Sequence, residues 1–337
     1  MEKHLKTNFL ADYNSALSLP ENPDYDLACD MIDHLDFEFW HPLVAHLANI
    51  NNLQFTHCER VDEGANPVFI FTAEEKYVLK LVPPNWSQQA IAEIAALKLF
   101  DDVELDLAIP KLMLHGKYHN WDYIFMSFVE GEILSNILTE TTQADKVEIA
   151  KQLGQFSKVL HDLEVPELPE ITLNWPEFLE TQFKNVYVKR ERQGLIQRFL
   201  SDLKPYLDSI NIEYKTGKNC FIHTDLHPGN LLVKRTQNGI ELCGIIDFGD
   251  AVVCPEPVFE FTSPGLLLAL SDKTIFESYL KGYGYNLDNP QALVEQCMAL
   301  SLLRHTGELN YIINTVPNVI QTSNWKEAES KLFPLNL

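Results

Sequence analysis

The stretch that decides the reading is His223-Thr224-Asp225-Leu226-His227-Pro228-Gly229-Asn230, which runs on through Leu231-Leu232-Val233-Lys234 to Ile245-Ile246-Asp247-Phe248-Gly249-Asp250. Between its two apolar runs stands Gln237-Asn238-Gly239, and an Asn-Gly pair in that position signals a tight hairpin. In an antiparallel pair the start of the first strand lies beside the end of the second. Asn230 precedes the first strand and Asp247 follows the second, so the two side chains emerge at one end of the ribbon. A carboxylate and an amide oxygen converging there suit Mg²⁺. Asp225, a short loop upstream, lies near such a metal but off it. A carboxylate there would orient an attacking hydroxyl and accept its proton. Alone, each of these acids is as readily a cap or turn residue. The D-x-x-x-x-N spacing, the hairpin and Ile-Asp-Phe-Gly are specific only together. His223 and His227 are read as hydrogen-bonding supports of the loop.

Upstream, Val68-Phe69-Ile70-Phe71-Thr72 and Tyr77-Val78-Leu79-Lys80-Leu81-Val82 read as a hairpin joined by the polar Ala73-Glu74-Glu75-Lys76. Lys80 stands inside an apolar strand, and a buried ammonium needs an anionic partner. Nucleotide phosphates are one candidate, and Glu93, on a helix read over residues 88–100, is the other. The alternative is an edge-strand lysine pointing to solvent; alternation does not decide, because both neighbours are apolar. The loop Glu63-Gly64-Ala65-Asn66-Pro67 would cover phosphates with backbone N–H groups, although by itself it is only a turn. Residues 109–114 and 123–128 are two further strand candidates. The chain to Leu53 reads as helical, with Pro42 placed in the first turn of the helix around residues 39–47.

After Gly131 helical patterns dominate, as in residues 144–163 and 194–207. The expected class is therefore α+β: a sheet-rich lobe over residues 1–130, with a helical extension over 1–53, and a mostly helical lobe over 131–337. The 337 residues are 46% apolar, ample for a sizeable core, and carry a net charge of −22. Such a surface repels nucleic acid and anionic lipid; it would draw in a cation, or serves solubility alone. The six cysteines form no C-x-x-C pair and fit free thiols in a reducing compartment. No signal-peptide run or membrane-length apolar window is present, so the expected location is cytoplasmic.

With these residues in hand, the chain resembles the aminoglycoside phosphotransferase and choline kinase group of small-molecule kinases, from about Phe55 to Gly284. His-Thr-Asp-Leu-His-Pro-Gly-Asn matches that group's H-G-D-x-x-x-x-N loop, and Ile-Ile-Asp-Phe-Gly-Asp-Ala its metal-binding segment. Leu153-Gly154 with Leu160-His161 matches an L-G…L-H helix, and Val129-Glu130-Gly131 the glycine after the hinge. The resemblance implies a protein-kinase-like two-lobed fold and an ATP- or GTP- and Mg²⁺-dependent phosphotransferase. It implies Asp225 as catalytic base, Asn230 and Asp247 as metal ligands, and Lys80 with Glu93 as the phosphate-positioning pair. Gly64 would lie in the phosphate loop, and the backbone from Met126 to Phe128 would receive the base. Thr224 departs from the group's glycine, and Pro255-Glu256-Pro257-Val258-Phe259-Glu260 replaces its G-D-P-x-x-D.

The implied acceptor is a small molecule, with cationic amino sugars and amino alcohols among the candidates, because no A-P-E landmark of a protein-kinase activation segment follows Asp247-Phe248-Gly249. A helical insert over residues 163–218, rich in acids and aromatics, either walls the acceptor site or is an ordinary amphipathic segment. Two other readings stay open: a nucleotide-binding module without catalysis, and a protein kinase. Oligomeric state leaves no trace in the sequence.

Overall fold

The computed structural model describes residues 13–62, 64–210, 212, 217–237 and 239–335. Residues 1–12 of the expected helical extension, Glu63 of the loop and Asn238 of the hairpin turn lie outside the described residues, as do 211 and 213–216 of the insert. The chain forms two compact units, Met1–Glu104 with Pro110–Val129, and Leu105–Ile109 with Glu130–Leu337.

In the first unit, α1 (Tyr25–Ile32) and α2 (Phe37–Ile50) both start at aspartates. Asp24 accepts the N–H of Leu27 and Asp36 that of Glu38. Pro42 lies inside α2, past the first turn where the sequence placed it, because the Asp36 cap starts the helix earlier. β1 (His57–Arg60), β2 (Val68–Thr72), β3 (Tyr77–Val82), β4 (Leu112–Tyr118) and β5 (Trp121–Ser127) form an antiparallel sheet in the order β1-β2-β3-β5-β4. α3 (Ser87–Leu99) connects β3 to β4. The β4–β5 turn is His119-Asn120, both at positive φ, the backbone a two-residue hairpin needs.

Strand alternation builds the core. Tyr77, Leu79 and Leu81 of β3 join Phe69, Phe71, Trp121 and Phe125, and pack on Trp40, Leu43, Val44 and Leu47 of α2. The period of two then sends Lys80 to the other face of the sheet.

In the second unit, β6 (Glu132–Ile133), α4 (Leu134–Ile137), α5 (Gln143–Asp162), α6 (Trp175–Arg192) and α7 (Gln197–Ser209) precede β7 (Cys220–Ile222). β8 (Leu231–Thr236) and β9 (Gly239–Ile245) form the hairpin, and β10 (Val252–Cys254) pairs with β7. Five helices close the chain: α8 (Val258–Ser263), α9 (Lys273–Tyr283), α10 (Pro290–Leu303), α11 (Leu309–Thr315) and α12 (Trp325–Leu332).

α5 opens with a capping box between Thr142 and Asp145. Asp145 also accepts the N–H of Ile240 at 2.9 Å, tying that helix to the hairpin. α5 and α9 approach so closely that a Cβ on Gly154 would lie 2.0 Å from the Tyr279 carbonyl oxygen, and one on Gly282 2.0 Å from that of Lys151. The Leu153-Gly154 signature is thus a packing requirement. Leu105–Ile109 joins this unit through Ala108, whose N–H donates to Cys243 O at 3.0 Å and whose O accepts from Ile245 N at 2.9 Å. The fold is α+β, with an antiparallel sheet in the first unit and mostly helix in the second. All six cysteines are free. Among the described residues no helix is long and apolar enough to cross a membrane.

Candidate active site

The β8–β9 register pairs Leu231 with Ile245, and Ile246 N donates to Asn230 O at 3.1 Å. Asn230 and Asp247 therefore stand at one end of the ribbon. Asn230 Nδ2 donates to the Asp225 carbonyl at 2.9 Å and to Asp225 Oδ2 at 3.2 Å. This leaves Asn230 Oδ1 without a donor among the described residues. Asp247 has φ 64°, and its Oδ1 accepts the N–H of Gly249 at 3.3 Å. Among the described residues no group of three or more His, Cys, Asp or Glu side chains is arranged to hold a metal. The donor set at the ribbon end is one amide oxygen and one carboxylate. It fits a hard cation that completes its shell with phosphate and water.

The loop carrying Asp225 is held from below. Buried His223 accepts the N–H of Asp225 at Nδ1 (3.3 Å), so its Nε2 carries the proton and faces Ile246 O at 3.2 Å. His227 accepts from Gly229 N at Nδ1 (3.1 Å) and presents Nε2 to Asp225 Oδ2 at 3.3 Å. The fully buried carboxylate of Glu260 accepts the N–H groups of His223 (2.7 Å) and Thr224 (2.9 Å). Glu256 accepts from Val258 N and from Gln296 Nε2. Thr224 sits at φ 67°, a left-handed backbone that suits glycine better than a β-branched residue. Its hydroxyl donates to Asp250 O at 2.9 Å, a compensation glycine would lack.

Sequence reasoning missed Arg304, which follows α10. Its Nη2 lies 3.0 Å from Asp225 Oδ1 and 3.9 Å from Asp250 Oδ2, and its Nε donates to Thr306 Oγ1 at 2.9 Å. Burial would raise the Asp225 carboxyl, but the His227 hydrogen bond and the Arg304 charge outweigh it and hold the group well below the usual carboxylate range. Lys189 and Arg190, at the end of α6, pin the backbone after α10. Lys189 donates to the carbonyls of Arg304 and His305, and Arg190 to those of Leu302, Arg304 and Gly307. The one signal in the sequence is a charged residue closing a buried, apolar helix, 79 positions from Asp225.

A cavity of about 340 Å³ opens beside Asp225, lined among others by Arg304, Arg190, Asp250, Leu266 and Ile312. Glu164, Glu167, Glu170, Glu177 and Glu180 of the insert are exposed, and none lines it.

In the first unit, Lys80 Nζ meets Glu93 Oε2 at 2.5 Å, with both residues buried. Gly64 has φ 125°. In the same loop, buried Asn66 donates to Gln89 Oε1 at 3.1 Å. Met126 pairs with Val78. Phe128 N donates to Lys76 O at 3.3 Å, and Ser127 N to Lys111 O at 2.9 Å. Two N–H groups of the 126–128 segment are thus already used.

Residues 57–291 match the phosphotransferase enzyme family, APH. The chain belongs to this family. No curated protein matches the phosphotransferase by sequence. Among solved structures, the GDP complex of wild-type aminoglycoside 2'-phosphotransferase-IIIa superposes with a TM-score of 0.62 at 17% identity, covering 87% of this chain and 96% of that one. The streptomycin-ATP-APH(2")-IIa ternary complex gives 0.57 at 18% identity, with 90% and 97% covered. Macrolide 2'-phosphotransferase MphH from Brachybacterium faecium gives 0.56 at 17% identity, with 88% and 99% covered. These likenesses concern the fold, which is protein-kinase-like. Family membership makes the phosphotransferase a small-molecule kinase.

Proposed function

We propose that this phosphotransferase moves the terminal phosphate of ATP or GTP, with Mg²⁺, onto a hydroxyl of a small molecule. The observation that carries this reading is the Asp225–Asn230 pairing at the end of the β8–β9 ribbon, where Asp247 also stands. The nucleotide is suggested by the ATP and GDP complexes of solved phosphotransferases of this fold.

Residues 1–130 serve the nucleotide and residues 131–337 the chemistry. Lys80, oriented by Glu93, offers its ammonium to the phosphates, and the backbone around Gly64 covers them. Met126 and Phe128 flank the base, and the backbone of residues 126–128 receives it. Asn230 Oδ1 and the Asp247 carboxylate hold Mg²⁺, which when bound offsets phosphate charge. Asp225 accepts a hydrogen bond from the acceptor hydroxyl and aims its oxygen in line at the phosphorus. As the new P–O bond forms, the bond to the leaving nucleoside diphosphate breaks and the hydroxyl proton passes to Asp225. His227 and Arg304 hold Asp225 well below the usual carboxylate range, so it is ionised and ready to orient the hydroxyl. Six free thiols suit a reducing compartment, and we place the enzyme in the cytoplasm.

The test is Asp225→Asn. We expect kcat to fall at least about a hundredfold while MgATP or MgGTP still raises the melting temperature as in the parent. Near-normal turnover would overturn the mechanism. Nucleotide binding by the parent without transfer to any amino sugar, amino alcohol, sugar or hydroxy acid would favour a non-catalytic module.

A further inference from the structure

Arg304 is committed on one side only. Nε is bonded to Thr306, and Nη2 serves Asp225 and Asp250. Nη1 makes no hydrogen bond among the described residues, and the residue lines the cavity beside Asp225. Three cations, Lys189, Arg190 and Arg304, meet at the backbone after α10, where Lys189 and Arg190 are answered by carbonyl dipoles. Burial first, and then the charge of neighbouring arginines, brings Lys189 down to about 8 and Arg190 to about 10. In a chain of net charge −22 this is a local concentration of positive charge. Two of the acids lining the cavity, Asp225 and Asp250, already face Arg304, so an incoming ammonium would meet a guanidinium beside each of them.

We propose that Arg304 recognises the acceptor, and that the acceptor is a small hydroxy compound bearing a carboxylate or phosphate. This rests on the kinase reading above and names its substrate class. With Nε and Nη2 engaged, Nη1 is the donor left to pair with either kind of acid group. The same guanidinium holds Asp225, so the acid group and the reacting hydroxyl belong to one small fragment of the acceptor. A cavity of about 340 Å³ lies at the low end of ligand sites, which run from about 300 to 1,000 Å³; it suits a single ring or short chain. The apolar side chains of Leu266 and Ile312 would cover the carbon skeleton.

The experiment compares acceptors of matched skeleton: glycerate, glycerol 3-phosphate, glycerol and serinol, then glucuronate, glucose 6-phosphate, glucose and glucosamine. Binding is measured by calorimetry without nucleotide, and phosphotransfer with MgATP and MgGTP, on the parent, Arg304→Gln and Arg304→Lys. We expect at least one acidic member to bind and react at least tenfold better than its neutral and cationic counterparts. Carboxylate and phosphate arms identify which acid is read. Arg304→Gln raises KM for that acceptor at least tenfold and removes the preference, while Arg304→Lys restores part of it; nucleotide affinity stays within twofold in both.

Preference for serinol or glucosamine, or failure of every acidic probe to bind, overturns the proposal and leaves the kinase reading intact. So does an unchanged acceptor KM with a reduced kcat in Arg304→Gln, which would assign Arg304 to the transferred phosphoryl group. Acid-probe binding that depends on Arg304, in a protein that binds no nucleotide, supports the anion site and sinks the kinase reading instead.

Discussion

Glu260 accepts the backbone N–H groups of His223 and Thr224 with its two carboxylate oxygens, at 2.7 and 2.9 Å. This buried acid shapes the loop that carries Asp225 without being part of that loop. In Glu260→Gln only one side-chain oxygen remains, so one buried N–H loses its acceptor. We expect a loss of about 1–3 kcal/mol in urea unfolding. Turnover should fall further than nucleotide affinity, because Asp225 shifts and Lys80 does not. Equal losses in both would argue against a role in placing Asp225.

The Lys80–Glu93 pair is buried on both sides. Removing one partner leaves the other buried charge less well compensated, so Lys80→Met or Glu93→Leu alone should destabilise the fold, by up to about 3–5 kcal/mol. The double variant should recover most of that stability in denaturant titrations yet still bind nucleotide poorly. A double variant with parental nucleotide affinity would show that the pair is purely structural.

Burial, with Arg304 and Lys189 close by, lowers His305 from 6.5 to about 4. Between those values the unfolded chain takes up a proton that the folded chain refuses. Folding stability should therefore fall as pH drops through this window and be retained above it, by up to about 1.4 kcal/mol per pH unit. His305→Phe keeps an aromatic ring beside Phe178, whose centroid lies 5.5 Å away, and removes the titration. Unfolding midpoints at pH 7, 6 and 5 should decline less steeply in the variant; identical slopes would assign the acid limb to other groups.

Gly154→Ala would drive a methyl group into the Tyr279 carbonyl. The α5–α9 packing must then open, at a cost of about 1–3 kcal/mol, visible as a lower melting temperature. An unchanged melting temperature would mean that the two helices slide apart freely.

Part of this was open to reading in the sequence. Val68–Thr72 and Tyr77–Val82 begin and end where the polar connection and Pro83 require. The side to which Lys80 points was not readable, because both faces of β3 are covered and the alternation is masked. The strand expected at 109–114 is β4, Leu112–Tyr118. One of its faces is exposed, so its polar residues hid its extent. The D-x-x-x-x-N loop located Asp225 and Asn230, since local spacing fixes them. Arg304 reaches Asp225 across 79 positions, and no local pattern encodes such a pairing.

The chain passes from one unit to the other after Glu104, again after Ile109, and again after Val129. A fragment begun at Glu130 would lack Ala108 and so leave Cys243 O and Ile245 N of the central ribbon without their bonds. The enzyme is therefore not divisible by a single cut. Circular permutation or co-expression of complementary pieces has to carry residues 105–109 with the C-terminal portion if that portion is to fold as it does in the intact chain.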